Sequence, residues 1–481
     1  MPDRFRDHRR ALADEIGDDA LAIVPAASET PRNADVHHPF RQDSNFYYLT
    51  GLEEPDAVAV IAPGHPDGEF LLFVHPKDRE AEIWNGVRVG PEGAKTRFQA
   101  DDAFELDRLD QVLTRLMVGR EVLYYRLGDA RHDARVLKLL DTARRHHARF
   151  GRPVPDVVRD VDAVLAELRL RKSPPELESL RAAAELSAEG HREAMRFTRP
   201  GLYEYQVQAA MEYLWREGGS PRNGYPAIVA AGANAVILHY TDNDAQIEED
   251  DLLLIDAAAE VDHYTADITR TFPASGTFTA PQLALYEVVL AAQRAAIAEI
   301  RPGSTFEKAN AAAVRVLTEG LVELGLLPRG VEDSLQMHHY REFFMHGIGH
   351  WLGLDVHDVG SYRVGGTWRP LEPGMVLTIE PGLYVDPGRP EVTFALRAYD
   401  LDAVTERRIL DPDARRRERE EWEEAEKITH LIPPDFLGIG VRIEDDLVVT
   451  EDGHEILSGL VPVDPPAVEA LCREASWLTR S

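Results

Sequence analysis

The chain has 481 residues, of which 44% are hydrophobic and 8% aromatic, a composition typical of folded domains rather than disordered segments. A chain of this length exceeds one ordinary core, so we expect two or three domains. Its net charge of −31 disfavours nucleic acid and anionic membranes as partners, because an acidic surface repels phosphate groups.

Sequence features also bear on where the protein acts. The N-terminus lacks the apolar core of a signal peptide, and no run reaches the roughly 18 apolar residues that span a bilayer. The single cysteine, Cys472, excludes an internal disulfide and a cysteine-based zinc site. We therefore expect a cytoplasmic protein with no membrane partner. Its acid-rich composition with six lysines suggests a salt-rich cytoplasm, and high-GC codon usage is the alternative explanation.

The first part of the chain alternates strand and helix patterns. Short apolar runs closed by Pro or Gly predict buried strands in residues 19–25, 56–64 and 69–76. Helical spacing predicts helices over residues 107–116 and 130–145. We interpret residues 1–168 as an α/β domain, with the boundary near Leu168.

The remaining residues, 169–481, predict an α+β domain. The spacing is helical from Asp160 to Phe197, and Ser173 followed by two prolines indicates a new helix start. Further helices are predicted over residues 281–301 and 305–326. Strands are predicted over residues 375–385 and 441–450, and a hairpin over residues 247–272. Turns too short for crossover helices favour antiparallel pairing.

One segment, residues 411–427, is almost wholly charged. It opens with Asp411 and Pro412, which suit a helix cap and a first helical position, so we predict a solvated helix within an insertion. An oligomer contact or a lid is the alternative.

Acidic residues occur at unusual places in the predicted strands. A turn at Val261 and Asp262 would place Asp256 directly opposite Asp267 on one face of the hairpin. Like charges that close are destabilising unless a proton or a cation lies between them. Glu380 and Glu444 also follow apolar strand residues, although each alone has the alternative interpretation of an edge residue facing water.

A histidine cluster accompanies these acids. The segment FFMHGIGHWLGLDVHD contains three histidines within twelve residues: His346, His350 and His357. Four carboxylates carry a charge of −4, which two divalent cations would neutralise. An oxygen-rich set with one imidazole favours Mn²⁺, with Co²⁺, Fe²⁺ or Zn²⁺ as alternatives. Two metal ions can hold a shared hydroxide as a nucleophile, which indicates hydrolysis.

Assembled in order, these residues resemble the ligand set of the pita-bread metallopeptidases, and the chain is most similar to the aminopeptidase P group. The residues that carry the resemblance are Asp256, Asp267, His350, Glu380 and Glu444. It extends to AVILHYTDN around His239 and to FRQDSNFYYLTGLEEPDAV in the first domain. The resemblance implies a C-terminal pita-bread fold preceded by a smaller creatinase-like α/β domain.

The resemblance also implies roles at a site with two divalent metal ions. Asp256 would bind one ion, Asp267 and Glu444 would bridge both, and His350 and Glu380 would complete the second. Glu380 would also shuttle a proton for the metal-bridging hydroxide.

Other residues match positions that handle the substrate, a peptide with proline in second position whose N-terminal residue is removed. His346 and His357 would hydrogen-bond the substrate and the tetrahedral intermediate. His239 would line the proline pocket, and Arg442 would support the site.

Two features leave alternatives open. The 63 residues between Glu380 and Glu444 exceed the short link of typical bacterial members and predict an insertion at about residues 387–435, which leaves a prolidase acting on Xaa-Pro dipeptides as an alternative. A non-catalytic peptide-binding homologue is a second alternative.

Trp84 matches an aromatic residue that reaches a neighbouring subunit in tetrameric relatives, so we expect a homodimer or homotetramer, unless Trp84 packs within its own domain.

Overall fold

A computed structural model describes residues 2–66, 68–147 and 150–479. The chain divides into two compact units, Met1–Arg169 and Leu170–Ser481. No helix in the described ranges is both long and apolar enough to cross a membrane.

The first unit is an α/β domain built on a mixed sheet. Its strands are β1 (Ala20–Pro25), β2 (Pro31–Asn33), β3 (Val36–His37), β4 (Val58–Ile61), β5 (Phe70–Val74), β6 (Asp102–Glu105), β7 (Val122–Tyr124) and β8 (Val157–Arg159). Its helices are α1 (Pro2–Ile16), α2 (Ser44–Thr50), α3 (Arg79–Asn85), α4 (Gly90–Phe98), α5 (Leu109–Leu116), α6 (Ala130–His147) and α7 (Val161–Leu170). The predicted strands and helices of this region are confirmed.

The sheet of the first unit has the strand order β6-β5-β4-β1-β7-β8. Strand β1 is antiparallel to β4 and parallel to β7, so the sheet is mixed at its centre. Its core joins strand residues such as Leu21 and Phe73 to Leu113 of α5 and Leu139 of α6. Burial of these apolar side chains stabilises the layer of helices on the sheet.

Trp84 lies at the exposed end of α3. It is 83% exposed, and its neighbours Ile83 and Val87 are 73% and 80% exposed. The alternative in which Trp84 packs within its own domain is therefore wrong, because most of its surface faces solvent.

The second unit combines long helices with short antiparallel strands. Its helices are α8 (Pro174–Phe197), α9 (Glu204–Glu217), α10 (Ala280–Ile297), α11 (Phe306–Glu323), α12 (Val331–Gln336), α13 (Leu401–Leu410), α14 (Ala414–Glu424) and α15 (Pro465–Cys472). The strands of its first half are β9 (Ile228–Ala231), β10 (Leu252–Asp256), β11 (Glu260–Val261), β12 (Tyr264–Thr265) and β13 (Thr269–Pro273). Those of its second half are β14 (Arg363–Val364), β15 (Thr367–Trp368), β16 (Val376–Ile379), β17 (Gly382–Tyr384), β18 (Glu391–Ala395), β19 (Lys427–Leu431), β20 (Gly440–Arg442), β21 (Asp445–Val449) and β22 (His454–Ile456).

The helix start predicted at Ser173 is confirmed. Helix α8 begins at Pro174, and the carboxylate of Glu176 accepts a hydrogen bond of 2.8 Å from the Ser173 backbone N–H. This contact satisfies a donor that the first turn of the helix leaves without a partner.

The turn predicted for the first hairpin is wrong by one residue, and the predicted strand register is therefore also wrong. Asp262 and His263, not Val261 and Asp262, form the turn, and both have positive φ angles of 51° and 67°. Such angles match a two-residue turn with the twist that paired strands require. Asp256 therefore pairs with Thr269 rather than with Asp267.

The two strands predicted over residues 375–385 and 441–450 are each broken in the middle. Strand β16 pairs with β21, and β17 pairs with β20 in a separate ladder. Pro381 lies at the first break and has no N–H to donate to a neighbouring strand. The breaks leave Glu380 and Glu444 outside the ladders.

The insertion forms a small subdomain. Strands β18 and β19 pair antiparallel, and helices α13 and α14 lie between them in the chain. The predicted solvated helix is confirmed as α14, but it begins after Asp413 rather than at Asp411. The Asp411 side chain instead accepts a hydrogen bond from the Asp413 backbone N–H at 2.9 Å and forms a turn before the helix.

Candidate active site

The structure brings all of the predicted site residues to one cavity of about 330 Å³ in the second unit. The cavity is lined by Leu238, Gly347, Gly349 and the nine predicted residues: Asp256, Asp267, His350, Glu380, Glu444, His346, His357, His239 and Arg442. The nine predicted residues come from segments up to 205 residues apart in the sequence, from His239 to Glu444, so only the folded chain assembles them.

Asp256 and Asp267 approach each other without facing each other. Asp256 is the last residue of β10 and pairs with Thr269 of β13. Asp267 lies two residues before Thr269, so the side chains of Asp256 and Asp267 are on the same face. The Tyr225 hydroxyl lies 2.7 Å from Asp256 Oδ1 and 2.6 Å from Asp267 Oδ1. A hydroxyl carries one proton, so it can donate to only one of these oxygens at a time.

The backbone of Asp267 is fixed by a second acid. Both carboxylate oxygens of Asp446 accept from the Asp267 N–H, at 3.0 and 3.2 Å. Asp446 is buried, and this burial, together with the charge of Asp267, raises its pKa well above the usual range. The contact ties β21 to the segment that carries Asp267.

Glu380 and Glu444 are the acids that face each other. The register that pairs Ile379 with Asp445 is the same as that which pairs Gly382 with Arg442. Two residues interrupt each strand at the break, so the continued register places Glu380 opposite Glu444. The break frees both side chains from the ladder and directs them to the cavity.

His350 joins this set through an extended segment beside β16. Its backbone C=O accepts from the Thr378 N–H at 2.9 Å. Its Nδ1 donates to the Trp351 carbonyl at 3.0 Å, which leaves Nε2 with its lone pair toward the cavity when the ring is neutral. Nε2 lies 3.3 Å from Asp267 Oδ2 and 3.6 Å from Glu380 Oε1.

The cluster fits a divalent cation. Ligand atoms of Asp267, His350 and Glu444 all lie within 4.8 Å of one another. Burial and the charges of the neighbouring carboxylates raise the pKa of Glu444 well above its usual range, and burial raises that of Glu380 to about 7. Without a cation, these groups must take up protons to coexist. Oxygen donors with one imidazole are a set that hard or borderline divalent ions accept.

Arg442 supports the cluster from β20. Its Nη2 donates to Asp256 Oδ2 at 2.7 Å, its Nη1 to the Tyr384 hydroxyl at 3.0 Å, and its Nε to Thr269 Oγ1 at 3.1 Å. Thr269 in turn donates to Glu444 Oε2 at 2.7 Å. The guanidinium thus orients one candidate ligand directly and another through a hydroxyl.

The three remaining histidines surround the acids. His346 Nε2 lies 2.9 Å from the Tyr384 hydroxyl, and burial lowers the pKa of His346 to about 4. The ring centres of His357 and His350 are 4.0 Å apart, and burial with the charge of His350 lowers the pKa of His357. His239 is exposed at the cavity mouth.

The position of His239 depends on a buried carboxylate. Glu204 accepts from the Ala231 N–H at 2.7 Å, the Tyr240 hydroxyl at 2.8 Å and the Ala245 N–H at 2.9 Å. These contacts hold the chain on both sides of His239 against the start of α9.

Sequence analysis missed Tyr225, Thr269, Tyr384 and Asp446. Thr269 and Asp446 lie two residues after a predicted ligand, and Tyr384 lies within the segment GLYV after Glu380, so their proximity in the sequence was a usable signal. No sequence signal marks Tyr225, because it is 31 residues from Asp256 and precedes the strand β9.

Replacement of Gly349 tests the approach of the His350 segment to β16. An added methyl group in Gly349→Ala would overlap the carbonyl oxygen of Thr378, so the segment must move away. We expect metal affinity to fall by roughly 10–100-fold, as for changes in groups that orient a ligand. Gly347→Ala is the matched control, since nothing lies closer than 4.0 Å to its added Cβ. Equal metal affinities of the two variants, measured by chelator competition, would contradict this role.

Metal binding should release protons. Without metal, the pKa of Glu380 is about 7 because of burial, and that of His350 is about 9 because contacts with Asp267 and the charge of Glu380 outweigh burial. A cation requires the ionised carboxylate and the neutral imidazole, so affinity should rise with pH up to about 9. Calorimetric titration at pH 7 in two buffers with different ionisation enthalpies measures the released protons. Buffer-independent heats would contradict the prediction.

Comparison with known proteins agrees with this geometry. The models of Metallopeptidase family M24 and of the Aminopeptidase P N-terminal domain match residues 178–451 and 5–124. The Xaa-Pro aminopeptidase of Escherichia coli (strain K12) is 37% identical over 469 residues, 97% of this chain and 97% of that protein.

Solved structures give the same result. The aminopeptidase PepP of Pseudomonas aeruginosa is 43% identical with a TM-score of 0.87, and the match covers 98% of both chains. Aminopeptidase P from E. coli with the inhibitor Pro-Leu is 36% identical with a TM-score of 0.85, again over 98% of both chains. The predicted fold, an α/β N-terminal domain before a pita-bread domain, is confirmed. The chain therefore belongs to metallopeptidase family M24 and carries an aminopeptidase P N-terminal domain.

Proposed function

We propose that this protein is an Xaa-Pro aminopeptidase, which hydrolyses the bond between the N-terminal residue of a peptide and a proline in second position. The observation that carries the proposal is the cluster of Asp267, His350 and Glu444, whose ligand atoms converge within 4.8 Å in a cavity of about 330 Å³. Relatives named Xaa-Pro aminopeptidase match almost the whole chain, which supports the same reaction here.

Two divalent metal ions, most simply Mn²⁺, would be held by Asp256, Asp267, His350, Glu380 and Glu444. Charge alone does not fix the number of ions, because the guanidinium of Arg442 offsets one of the four carboxylates. The donor count supports two: four carboxylates and one imidazole offer nine ligand atoms, more than the six that one such ion takes. Asp267 would suit a bridging position, since its Oδ2 faces His350 and its Oδ1 faces the hydroxyl it shares with Asp256.

Metal ions bound here would supply Lewis acidity and an ionised water at neutral pH. The protein's own groups would handle the protons. Glu380 lies in the cavity beside His350 and opposite Glu444, where its carboxylate could accept and return a proton. Burial keeps His346 neutral, so its ring carries one N–H, which Nδ1 donates to the Gly347 carbonyl at 2.8 Å. A hydrogen bond donated from Nε2 to the substrate would require the other tautomer.

The substrate bond explains why a shaped pocket is needed. An Xaa-Pro bond is a tertiary amide without an N–H, so recognition must rely on the proline ring. His239 and Leu238 line the cavity and are our candidates for contact with the ring. His346 and His357 are our candidates for hydrogen bonds to the substrate carbonyl as it becomes an oxyanion.

We further propose a cytoplasmic homodimer or homotetramer in which residues 1–168 form the N-terminal domain and residues 169–481 the catalytic domain. The exposed apolar side chains of Ile83, Trp84 and Val87 support association, because such a surface is more stable when covered. The mass in solution, measured by light scattering for the wild type and Trp84→Ala, distinguishes these states.

A substrate-length assay tests the proposed reaction. The Mn²⁺-loaded protein should release the N-terminal residue from a tripeptide such as Ala-Pro-Ala, because the proposed reaction requires only the bond before proline. Release of the free amino acid is followed by chromatography, with Ala-Ala-Ala as the control. Hydrolysis of Ala-Pro alone, with the tripeptide intact, would contradict the proposal.

Single replacements separate metal ligands from groups that contact the substrate. Asp267→Asn and His350→Ala should lose bound metal and turnover together, because each removes a ligand at the centre of the cluster. His346→Ala and His357→Ala should retain metal and lower kcat by roughly 10²–10³-fold, the usual effect of losing one oxyanion donor. Metal content and kcat are measured on the same samples. Loss of metal in all four variants would contradict the division of roles.

A further inference from the structure

The insertion encloses a second cavity, which the proposed reaction does not use. This cavity measures about 370 Å³ and lies between the end of β18 and helices α13 and α14. Its apolar lining includes Tyr399, Leu401, Val404 and Trp422, and Trp422 is 48% exposed. An apolar lining with partly exposed aromatic residues is typical of a surface that receives an apolar group.

Three arginines and three acids line this cavity, and two of the arginines are paired with two of the acids. Arg397 is 3.2 Å from Glu421, and Arg408 is 2.7 Å from Glu418, so these arginines are paired within the insertion. Arg341 lines the same cavity from outside the insertion and forms no ion pair with any described residue. Asp400 lines the same cavity, and the Arg341 guanidinium, which already donates to the Met345 carbonyl, is our candidate donor to a carbonyl of a ligand.

Arg341 also connects the cavity to the active site. Its Nη2 donates to the carbonyl oxygen of Met345 at 3.5 Å, and the next residue, His346, lines the catalytic cavity. Arg341 thus contacts the chain at the residue that precedes His346.

The insertion is held to the same segment of the chain. The Nε2 atoms of His338 and His339 both lie 3.0 Å from insertion carbonyls, those of Tyr399 and Ala395. The cavity is therefore fixed relative to the segment that leads to His346.

We propose that this cavity is a subsite for an apolar side chain of the substrate downstream of proline, with Arg341 binding a backbone carbonyl of the same peptide. The inference rests on the proposed function and extends it to longer peptides. An extended chain advances about 3.3 Å per residue, so moving one side chain along a series of peptides samples successive distances from the proline. The tripeptide Ala-Pro-Ala has no apolar side chain downstream of its third residue and serves as the reference.

The test uses Ala-Pro heptapeptides in which a single Phe moves from position 4 to position 7, with an all-Ala heptapeptide and Ala-Pro-Ala for comparison. One Phe position should raise kcat/KM by roughly tenfold through a lower KM, the usual effect of one apolar group in a pocket. Trp422→Ala should remove this gain and leave Ala-Pro-Ala hydrolysis unchanged, and Arg341→Gln should also reduce the gain. Trp477→Ala is the matched control, since Trp477 is 43% exposed and outside the cavity.

Each other outcome has a distinct meaning. Equal kcat/KM for all heptapeptides, or a gain that survives in Trp422→Ala, would overturn the subsite while leaving the proposed function intact. Equal losses on the tripeptide and the best heptapeptide in Trp422→Ala would also overturn it, because they would indicate a general structural effect. No hydrolysis of any Ala-Pro peptide by the metal-loaded wild type would overturn both proposals.

Discussion

Repulsion between four carboxylates that share one buried cavity is the constraint on which the second unit depends. Asp256, Asp267, Glu380 and Glu444 cannot all be ionised together at low cost, as the raised pKa values of Asp267, Glu380 and Glu444 indicate. Arg442 offsets part of the charge. The remaining negative charge must be neutralised by protons or cations. Without a bound cation, these buried carboxylates reduce the stability of the folded protein.

Interrupted β-ladders make this arrangement geometrically feasible. A side chain inside a regular ladder points straight away from the sheet, whereas Glu380 and Glu444 lie where two antiparallel ladders break in register. Asp267 likewise lies between short strands rather than within one. Backbone contacts across the breaks, such as Glu444 N–H to the Thr269 carbonyl at 3.0 Å, keep the two halves of the site together. The regular strands thus support the site, and the breaks between strands carry three of the candidate ligands.

The insertion lies outside the cavity that contains the acids. None of the described residues of the insertion lines the cavity of about 330 Å³ that contains the acids. It instead contacts the segment before His346 through backbone carbonyls, and its own cavity is also lined by Arg341 of that segment. A subdomain placed in this way can affect which peptides are bound without changing the groups that perform hydrolysis.

The sequence by itself determined which residues are candidates for the site. Acids next to apolar strand residues and histidines among glycines are unusual enough to single out the acids and the histidine cluster, and the resemblance to the pita-bread metallopeptidases implied the remaining candidates and their roles. The helices and most strands followed from periodicity, because 3.6- and 2-residue repeats are local properties. Tertiary structure decided how these residues meet. The turn at Asp262 and His263 moved the partner of Asp256 to Thr269, and the facing pair proved to be Glu380 and Glu444, whose ladders are joined across 63 residues. Tyr225 and the cavity beside Arg341 were also decided there, because contacts between distant segments leave no periodic signal in the chain.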